Sequence, residues 1–330
     1  MAYDTYGSPD VLEMKTADTP EPKAHQLLIQ VRATTVTSAD CRIRSLTMPR
    51  GFGLISRFVF GIKKPKNKVL GAEFAGVVQA VGKEVTQFKI GDCVLGINGT
   101  QMGCYAEAIC VSEKGAITLK PDDLSFQEAA TLPFGGTTAL DFFRRAKLEA
   151  GESVLINGAS GNVGSAATQL AVYFGAEVTA VCSASNCDDM KKLGASHVID
   201  YTQTDLQQLD QTYDVIIDTV GNLSYARIHH ALKPRGRLLQ VAANLSDMLR
   251  TPWIHLRTKH RVFAGPAAER AEDLELLAAL AREGHYRPLI DRNYAFEQIP
   301  EAHRYVDSGR KRGSVVIEVK QAATPGLPTP

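Results

Sequence analysis

The sequence predicts an α/β protein: a doubly wound parallel sheet set into a mostly antiparallel, barrel-like β part. Three observations carry this. The first third reads as short strands separated by turns. From about residue 125 strands and helices alternate, which is the pattern of βαβ units with helices on both faces of a parallel sheet. Within that alternation "NGASGNVG" (157–164) places Gly158, Gly161 and Gly164 at a three-residue spacing between a strand and a helix.

The β part begins with "QLLIQVRATTV" (26–36), alternating at first and β-branched later, and continues with "FAGVVQAVG" (74–82) and "GDCVLGI" (91–97). Residues 50–68, apolar and then basic, read as an excursion of loop and short helix. Ser125 followed by Glu128 is a capping box, so a helix starts there. Strands are then expected at 153–157, 177–182, 197–200, 213–218, 237–242 and 261–265, with helices at about 163–174 and 188–193. Residues 271–284 form a strongly periodic helix. Residues 288–319 return to strand–helix–strand, and the last strand is placed to pair back onto the first part. The Pro-rich tail 321–330 has nothing to bury and is expected to be disordered.

Composition narrows the function. The 330 residues carry 37 Lys+Arg against 36 Asp+Glu, a net charge of +1, which argues neither for nucleic acid nor for an anionic membrane. Charged residues interrupt every apolar run before it could span a bilayer, and the first ten residues lack the features of a secretory signal. The 6 cysteines are too sparse for a disulfide scaffold, so reduced thiols in a cytoplasmic protein are expected.

The glycine stretch reads either as a tight turn or as a nucleotide site, and its setting favours the second. "SVLIN" is a buried parallel strand and Gly158 begins the turn. Gly161 lets the backbone approach a pyrophosphate, while Gly164 lets the helix pack closely on the strand. The amides at the helix N-terminus would face the phosphates. An NAD enzyme would place Asp or Glu at the end of the second strand for the ribose hydroxyls. Here "VCSASN" (181–186) has no acid until Asp188. A neutral end accepts a 2′-phosphate, with Ser183 and Asn186 as donors and Lys191, Lys192 and Tyr201 as auxiliary contacts. NADPH is therefore the expected cofactor.

Several stretches together resemble the medium-chain dehydrogenase/reductase superfamily, in its zinc-independent quinone oxidoreductase-like branch. They are "GSPDVLEM" (7–14), "LGAEFAGVVQAVGKEVTQFKIGDCVLG" (70–96), "LSFQEAATLPFGGTTAL" (124–140), "NGASGNVG" and "GASHVIDYT" (194–202). The resemblance spans residues 5–320. It implies a GroES-like catalytic domain from 1–122 and 266–330, and a Rossmann NADP-binding domain from 123–265. It also implies an opening edge strand, where this chain has only "MAYDTYG" before its Tyr-Gly segment.

By the same resemblance, zinc-dependent members use a Cys near the position of Thr37, a His in a Gly-His-Glu segment and a later Cys. This chain has Thr37, Ala72 in "GAEF", and no thiol in "LPFGGTT". The four-cysteine structural lobe is also missing, so no metal site is expected. The branch reduces acceptors that are already electrophilic, namely quinones or carbonyl-conjugated alkenes. The implied cofactor contacts are Gly158, Ala159, Ser160, Gly161, Asn162, Val163 and Gly164, with Val220 and Gly221 along the ribose. Val241, Ala242, Phe263 and Ala264 would hold the carboxamide end, and Thr138 would lie by the nicotinamide.

Thr37, Asp40 and the 50–62 excursion are the expected substrate cleft. Thr37 stands where the branch usually has Asn, and Asp40 reads equally as a structural cap, with Arg42 and Arg44 as solvated neighbours. Tyr105 is either a proton donor or, better, packing on a barrel strand. The apolar residues Phe52, Leu54, Ile55, Phe58, Val59 and Phe60 read as a substrate pocket or a packed interface. His229 and His230 read as surface residues. The basic cluster 308–319 reads as a solvated turn from which Lys311 or Arg312 could reach the cofactor phosphates. Two other functions stand beside the reductase: a 2-enoyl thioester reductase, and a catalytically weak NADPH-binding redox sensor. A homodimer is expected through strands 238–242 and 261–265, placed at the sheet edge. The natural partner is a small electrophile, with neither nucleic acid nor membrane.

Overall fold

The computed structural model describes residues 1–320, so the tail at 321–330 lies outside the described residues. Two sheets organise the chain. The first collects β1 (Gln26–Val36), β2 (Glu73–Val81), β3 (Cys93–Ile97), β4 (Ala108–Ser112) and β5 (Ala116–Leu119). The second holds β6 (Ser153–Asn157), β7 (Glu177–Cys182), β8 (His197–Asp200), β9 (Tyr213–Asp218), β10 (Leu232–Gln240) and β11 (Arg261–Ala264). The chain then returns through β12 (Ile290–Ala295) and β13 (Ser314–Glu318) to the first sheet, where β13 pairs antiparallel with β1.

The first sheet runs in the order β12-β13-β1-β2-β3-β5, with β4 paired to β1. Its pairings are antiparallel except for β12 with β13. Among the described residues no ladder joins its ends, so the sheet stays open where the sequence suggested a barrel. Bulges in β1 at Leu28/Ile29 and Val31/Ala33 let that strand serve several neighbours.

The second sheet is wholly parallel, in the order β11-β10-β9-β6-β7-β8. This is the doubly wound order, and the strand order reverses between β6 and β9. Every residue of β6 is buried, as a strand covered on both faces requires. Val154, Leu155 and Ile156 are fully enclosed, each worth roughly 1.5–3 kcal/mol of apolar burial. Residues 238–240 lie inside the sheet, between β9 and β11; only β11 forms that edge.

Ten α-helices lie among the described residues. They are α1 (Ser38–Ser45), α2 (Gly53–Phe60), α3 (Phe126–Ala129), α4 (Leu132–Ala146), α5 (Asn162–Tyr173), α6 (Cys187–Lys192), α7 (Tyr225–Ile228), α8 (Leu245–Arg257), α9 (Ala271–Arg282) and α10 (Ile299–Asp307). The expected capping box at Ser125 and Glu128 is formed, but the helix it opens is one turn long. Pro133 then sits in the first turn of α4, where its missing N–H costs nothing. Leu274, Leu277 and Leu280 of α9 join the core built on β6 and α4, so this helix packs with the parallel-sheet side of the molecule.

Candidate functional site

The C-terminal ends of β6, β8 and β9 open on a cavity of about 780 Å³, at the place where the strand order reverses. Gly158, Ser160 and Gly161 form one wall, Tyr201 and the segment after it another, and Val220 and Lys311 close it.

The three glycines have separate reasons. Gly158 has φ +79°, and a Cβ there would meet Thr219 Oγ1 and Val220 Cγ2 at 2.6 Å. A Cβ on Gly164 would lie 2.1 Å from the Gly158 carbonyl oxygen, so the helix can pack this close only without a side chain. At Gly161 a Cβ would meet nothing nearer than Gly158 O at 3.4 Å. The chain itself leaves that direction open, on the cavity side of the loop. Gly161 is also the N-cap of α5, so the N–H groups of Asn162, Val163 and Gly164 form the donor-rich first turn.

Not every expected contact points at the cavity. The N–H groups of Gly158 and Ala159 both donate to Val181 O, at 3.2 and 3.0 Å, and that of Gly161 donates to Gly158 O at 3.0 Å. The Asn162 side chain donates to Ser314 Oγ at 2.9 Å. The Ser160 carbonyl accepts the N–H of Gly313 at 2.7 Å, which clamps the turn before β13 onto the glycine loop. Val163 is buried.

Asp218, at the end of β9, organises the opposite wall. Its carboxylate accepts the N–H groups of Val220, Gly221 and Leu223 at 2.9–3.0 Å and the Asn157 amide at 2.9 Å. Four donors compensate for its burial. This bends the "DTVG" turn so that Val220, 48% exposed, projects into the cavity. Gly221 packs against Ala242, and both line a second cavity of about 590 Å³ that shares Val220, Asn222 and Arg227 with the first. Val241 donates its N–H to Asp218 O at 3.0 Å. Phe263 and Ala264 end β11, and neither lines these two cavities.

At the end of β7, Asn186 donates to Ser183 Oγ at 3.0 Å and Ser185 Oγ lies 3.2 Å from it, a cluster of hydroxyls and one amide. The nearby acid Asp189 is held by Arg312 at 2.9 Å, with Lys192 at 3.8 Å. Arg312 thus pairs within the protein; Lys311 lines the cavity, its ammonium donates to Gly313 O at 2.9 Å, and burial lowers its pKa to about 8. Tyr201 is 57% exposed on the cavity wall.

Thr37 and Asp40 face inward. Thr37 caps α1, its hydroxyl donating to Asp40 Oδ2 at 2.6 Å, and the Asp40 carboxylate accepts the Thr37 N–H at 2.8 Å and the Gly71 N–H at 3.2 Å. Asp40 is fully buried, and burial pushes its carboxyl upward. Asp40 thus forms the capping box of α1 and a bond to the Gly71 backbone. The neighbouring Ser38 is the residue of this turn that reaches the cofactor-sized cavity. Thr138 is nearly buried and donates its hydroxyl proton to Phe134 O at 2.7 Å, a back-bond within α4.

Arg44 is not solvated. It is 2% exposed and donates to Gly7 O, His303 Nδ1 and Asp307. Tyr105 lies in the loop before β4 rather than on a strand, fully buried with its ring edge against His303. In α2 only Ser56 is buried; Leu54, Ile55, Phe58 and Val59 face outward, while Phe60 packs against the core of the first sheet. Among the described residues no group of three His, Cys, Asp or Glu side chains is arranged to hold a metal ion, and no helix is long and apolar enough to cross a membrane.

Residues 23–122 match the family described as alcohol dehydrogenase GroES-like domain, and residues 193–317 the one described as zinc-binding dehydrogenase. The chain is 32% identical to the 2-methylene-furan-3-one reductase of Solanum lycopersicum, over 96% of this chain and 78% of that protein. The chain belongs to the medium-chain dehydrogenase/reductase superfamily, in its quinone oxidoreductase-like branch. The NADPH-dependent alkenal/one oxidoreductase of Arabidopsis thaliana is 29% identical, over 96% of this chain and 78% of that protein. The structure of the quinone oxidoreductase from Coxiella burnetii superposes with a TM-score of 0.84 at 31% identity, covering 97% of this chain and 98% of that one. In a member of this superfamily, the cavity at the reversal of strand order is the expected place for a nicotinamide cofactor.

Proposed function

We propose that the protein is an NADPH-dependent reductase that delivers hydride to quinones or α,β-unsaturated carbonyl compounds without zinc. The observation that carries this reading is the Gly161 position, where a Cβ would meet nothing nearer than 3.4 Å, at the head of a helix without a side-chain cap and near a strand end that carries Ser183 and Asn186 in place of an acid. Those features fit a phosphorylated dinucleotide. The first-turn amides of α5 would hold the pyrophosphate. Ser183, Asn186, Tyr201 and Lys311 would surround the 2′-phosphate. Val220, Gly221, Val241 and Ala242 would line the nicotinamide half, with Phe263 and Ala264 toward its carboxamide and Thr138 nearby.

Bound NADPH supplies the hydride. The chain contributes a rigid wall through Asp218, which holds the 218–221 turn, and a clamp through Gly313, which holds the glycine loop. The acceptor gains one hydride and one proton, the latter from water. A conjugated acceptor needs no Lewis acid, which agrees with Ala72 standing where the superfamily's zinc-dependent members place a His. We read 123–265 as the Rossmann NADP-binding domain and 1–122 with 266–330 as the GroES-like catalytic domain. The exposed edge at β11 is the proposed contact of a homodimer.

Steady-state kinetics with NADPH and NADH test the cofactor assignment. A kcat/KM ratio well above one in favour of NADPH is expected, and equal efficiency would overturn it.

A further inference from the structure

The 590 Å³ cavity differs from its neighbour in charge. Arg42 from α1, Arg50 from the loop before α2, Arg227 from α7 and Arg250 from α8 all line it, against a single acid, Asp247. The guanidinium groups of Arg42, Arg50 and Arg250 make no hydrogen bond or ion pair among the described residues. Arg227 has one long contact, 3.3 Å to Asn222 O. Four arginines from four separate elements thus gather around one hollow.

A second feature adds to the same potential. The N-terminus of α8 opens on this cavity, with Asn244 as N-cap and Ser246 and Asp247 in the first turn. The Asn244 side chain does not cap its own helix; its Oδ1 accepts the Arg50 N–H at 3.0 Å, and Arg50 O accepts the Leu245 N–H at 3.0 Å. Gly51, at φ +92°, packs so closely that a Cβ would lie 2.6 Å from Leu245 Cβ. The loop that carries Arg50 is therefore pinned to the helix that carries Arg250, so the two charges share a fixed frame.

We propose that this cavity binds an anionic group, a carboxylate or a phosphate, carried by the molecule that accepts the hydride. The inference rests on the reductase reading, because it takes the reacting end of the acceptor to lie past Gly221 and Ala242, beside the wall of Val220, Asn222 and Arg227 that the two cavities share. A neutral quinone would leave unpaired guanidinium groups facing it. An acceptor with an anionic tail would satisfy them and be held with its conjugated end toward the nicotinamide half. Asp247, drawn toward Asn244 Nδ2 at 3.4 Å, sits at the helix end and does not neutralise the arginines.

Two matched pairs of acceptors test this: benzylideneacetone against its para-carboxylate, and crotonyl-pantetheine against crotonyl-CoA. The first pair reads a carboxylate and the second reads phosphates. At low salt the charged member of at least one pair should have a kcat/KM about tenfold higher, the scale of a few partly exposed charge pairs. That preference should fall toward one in about 0.5 M NaCl and in the Arg42→Gln/Arg250→Gln double variant. No preference for either charged member, or a preference that survives in the double variant, would overturn the proposal. An equal loss of NADPH affinity in the double variant, read by calorimetry, would assign the arginines to the cofactor and overturn it too. If none of the four acceptors is reduced, the reductase reading fails separately. Calorimetric binding of the same pairs then reads the site: tighter binding of a charged member, lost in the double variant, upholds it, and equal binding within both pairs refutes it.

Discussion

The buried carboxyl of Glu73 accepts the backbone N–H of Phe134 at 2.6 Å. The bond joins β2 to the first turn of α4, the helix that bears Thr138. Thr131, the N-cap of α4, gives that helix no side-chain bond, so an acid from the other sheet serves in its place. Thr35 donates to the second oxygen, and no cation forms an ion pair with Glu73 among the described residues. Burial raises its carboxyl to about 8.

The sign of the resulting pH dependence follows from linkage. The unfolded chain ionises this acid near 4.5 and the folded chain near 8, so the stability Glu73 contributes is present at low pH and is lost as pH rises across that window. Glu73→Gln mimics the protonated form: its carbonyl accepts from Phe134 and its amide donates to Thr35. Thermal melts should show the variant gaining on the wild type between pH 5 and pH 8. A difference that stays constant with pH would assign the carboxyl an ordinary pKa.

Gly161 and Gly164 separate binding from folding. Alanine at 164 drives a Cβ into backbone 2.1 Å away and should cost roughly 1–3 kcal/mol. Alanine at 161 meets only ordinary contact and should fold like the wild type. Its NADPH dissociation constant should nonetheless rise by about tenfold or more, because the methyl occupies the approach to the loop. Calorimetry and melting curves on both variants check this; unchanged NADPH affinity in Gly161→Ala would remove the cradle reading.

The cofactor choice rests on the end of β7. Ser183→Asp places a carboxylate where the 2′-phosphate is proposed to sit, within reach of Asn186. NADPH affinity should fall by about tenfold and the preference should move toward NADH, as like charge is set against the phosphate. Parallel titrations with both cofactors read the outcome.

Arg44 ties α1 to α10 by donating to His303 Nδ1 at 2.9 Å and Asp307 at 2.7 Å, and to the N-terminal segment through Gly7 O at 3.1 Å. Burial holds His303 neutral, its pKa lowered to about 3. Arg44→Met strands these partners and should cost roughly 2–3 kcal/mol. Urea unfolding should show a lower midpoint with an unchanged slope.

The parallel sheet was readable because β6, β7 and β9 are mostly apolar runs that alternate with helices, but the order of its strands was not, and β10 lies between β9 and β11 rather than at the edge. The glycine loop was readable because each glycine answers a different steric demand. Helix α8 carries no start signal that sets it apart: Pro252 interrupts it, none of its residues is buried, and Leu249, Trp253 and Leu256, although helically spaced, face outward rather than into a core. The sequence gives Arg44 no sign of burial, because its partners lie far away in sequence, at Gly7, His303 and Asp307. Thr37 and Asp40 show the same blindness in reverse, since a motif position gives no sign of which way a hydroxyl points. The arginine cavity draws on four separate elements, and no local pattern joins them.

The most direct test of the central reading is NADPH consumption by EDTA-treated protein with benzylideneacetone or phenanthrenequinone as acceptor. Turnover of at least one acceptor, undiminished by the chelator and with the saturated ketone or quinol formed in equal amount, is the predicted result. Tight NADPH binding without turnover of either acceptor, or turnover that requires added zinc, would contradict it.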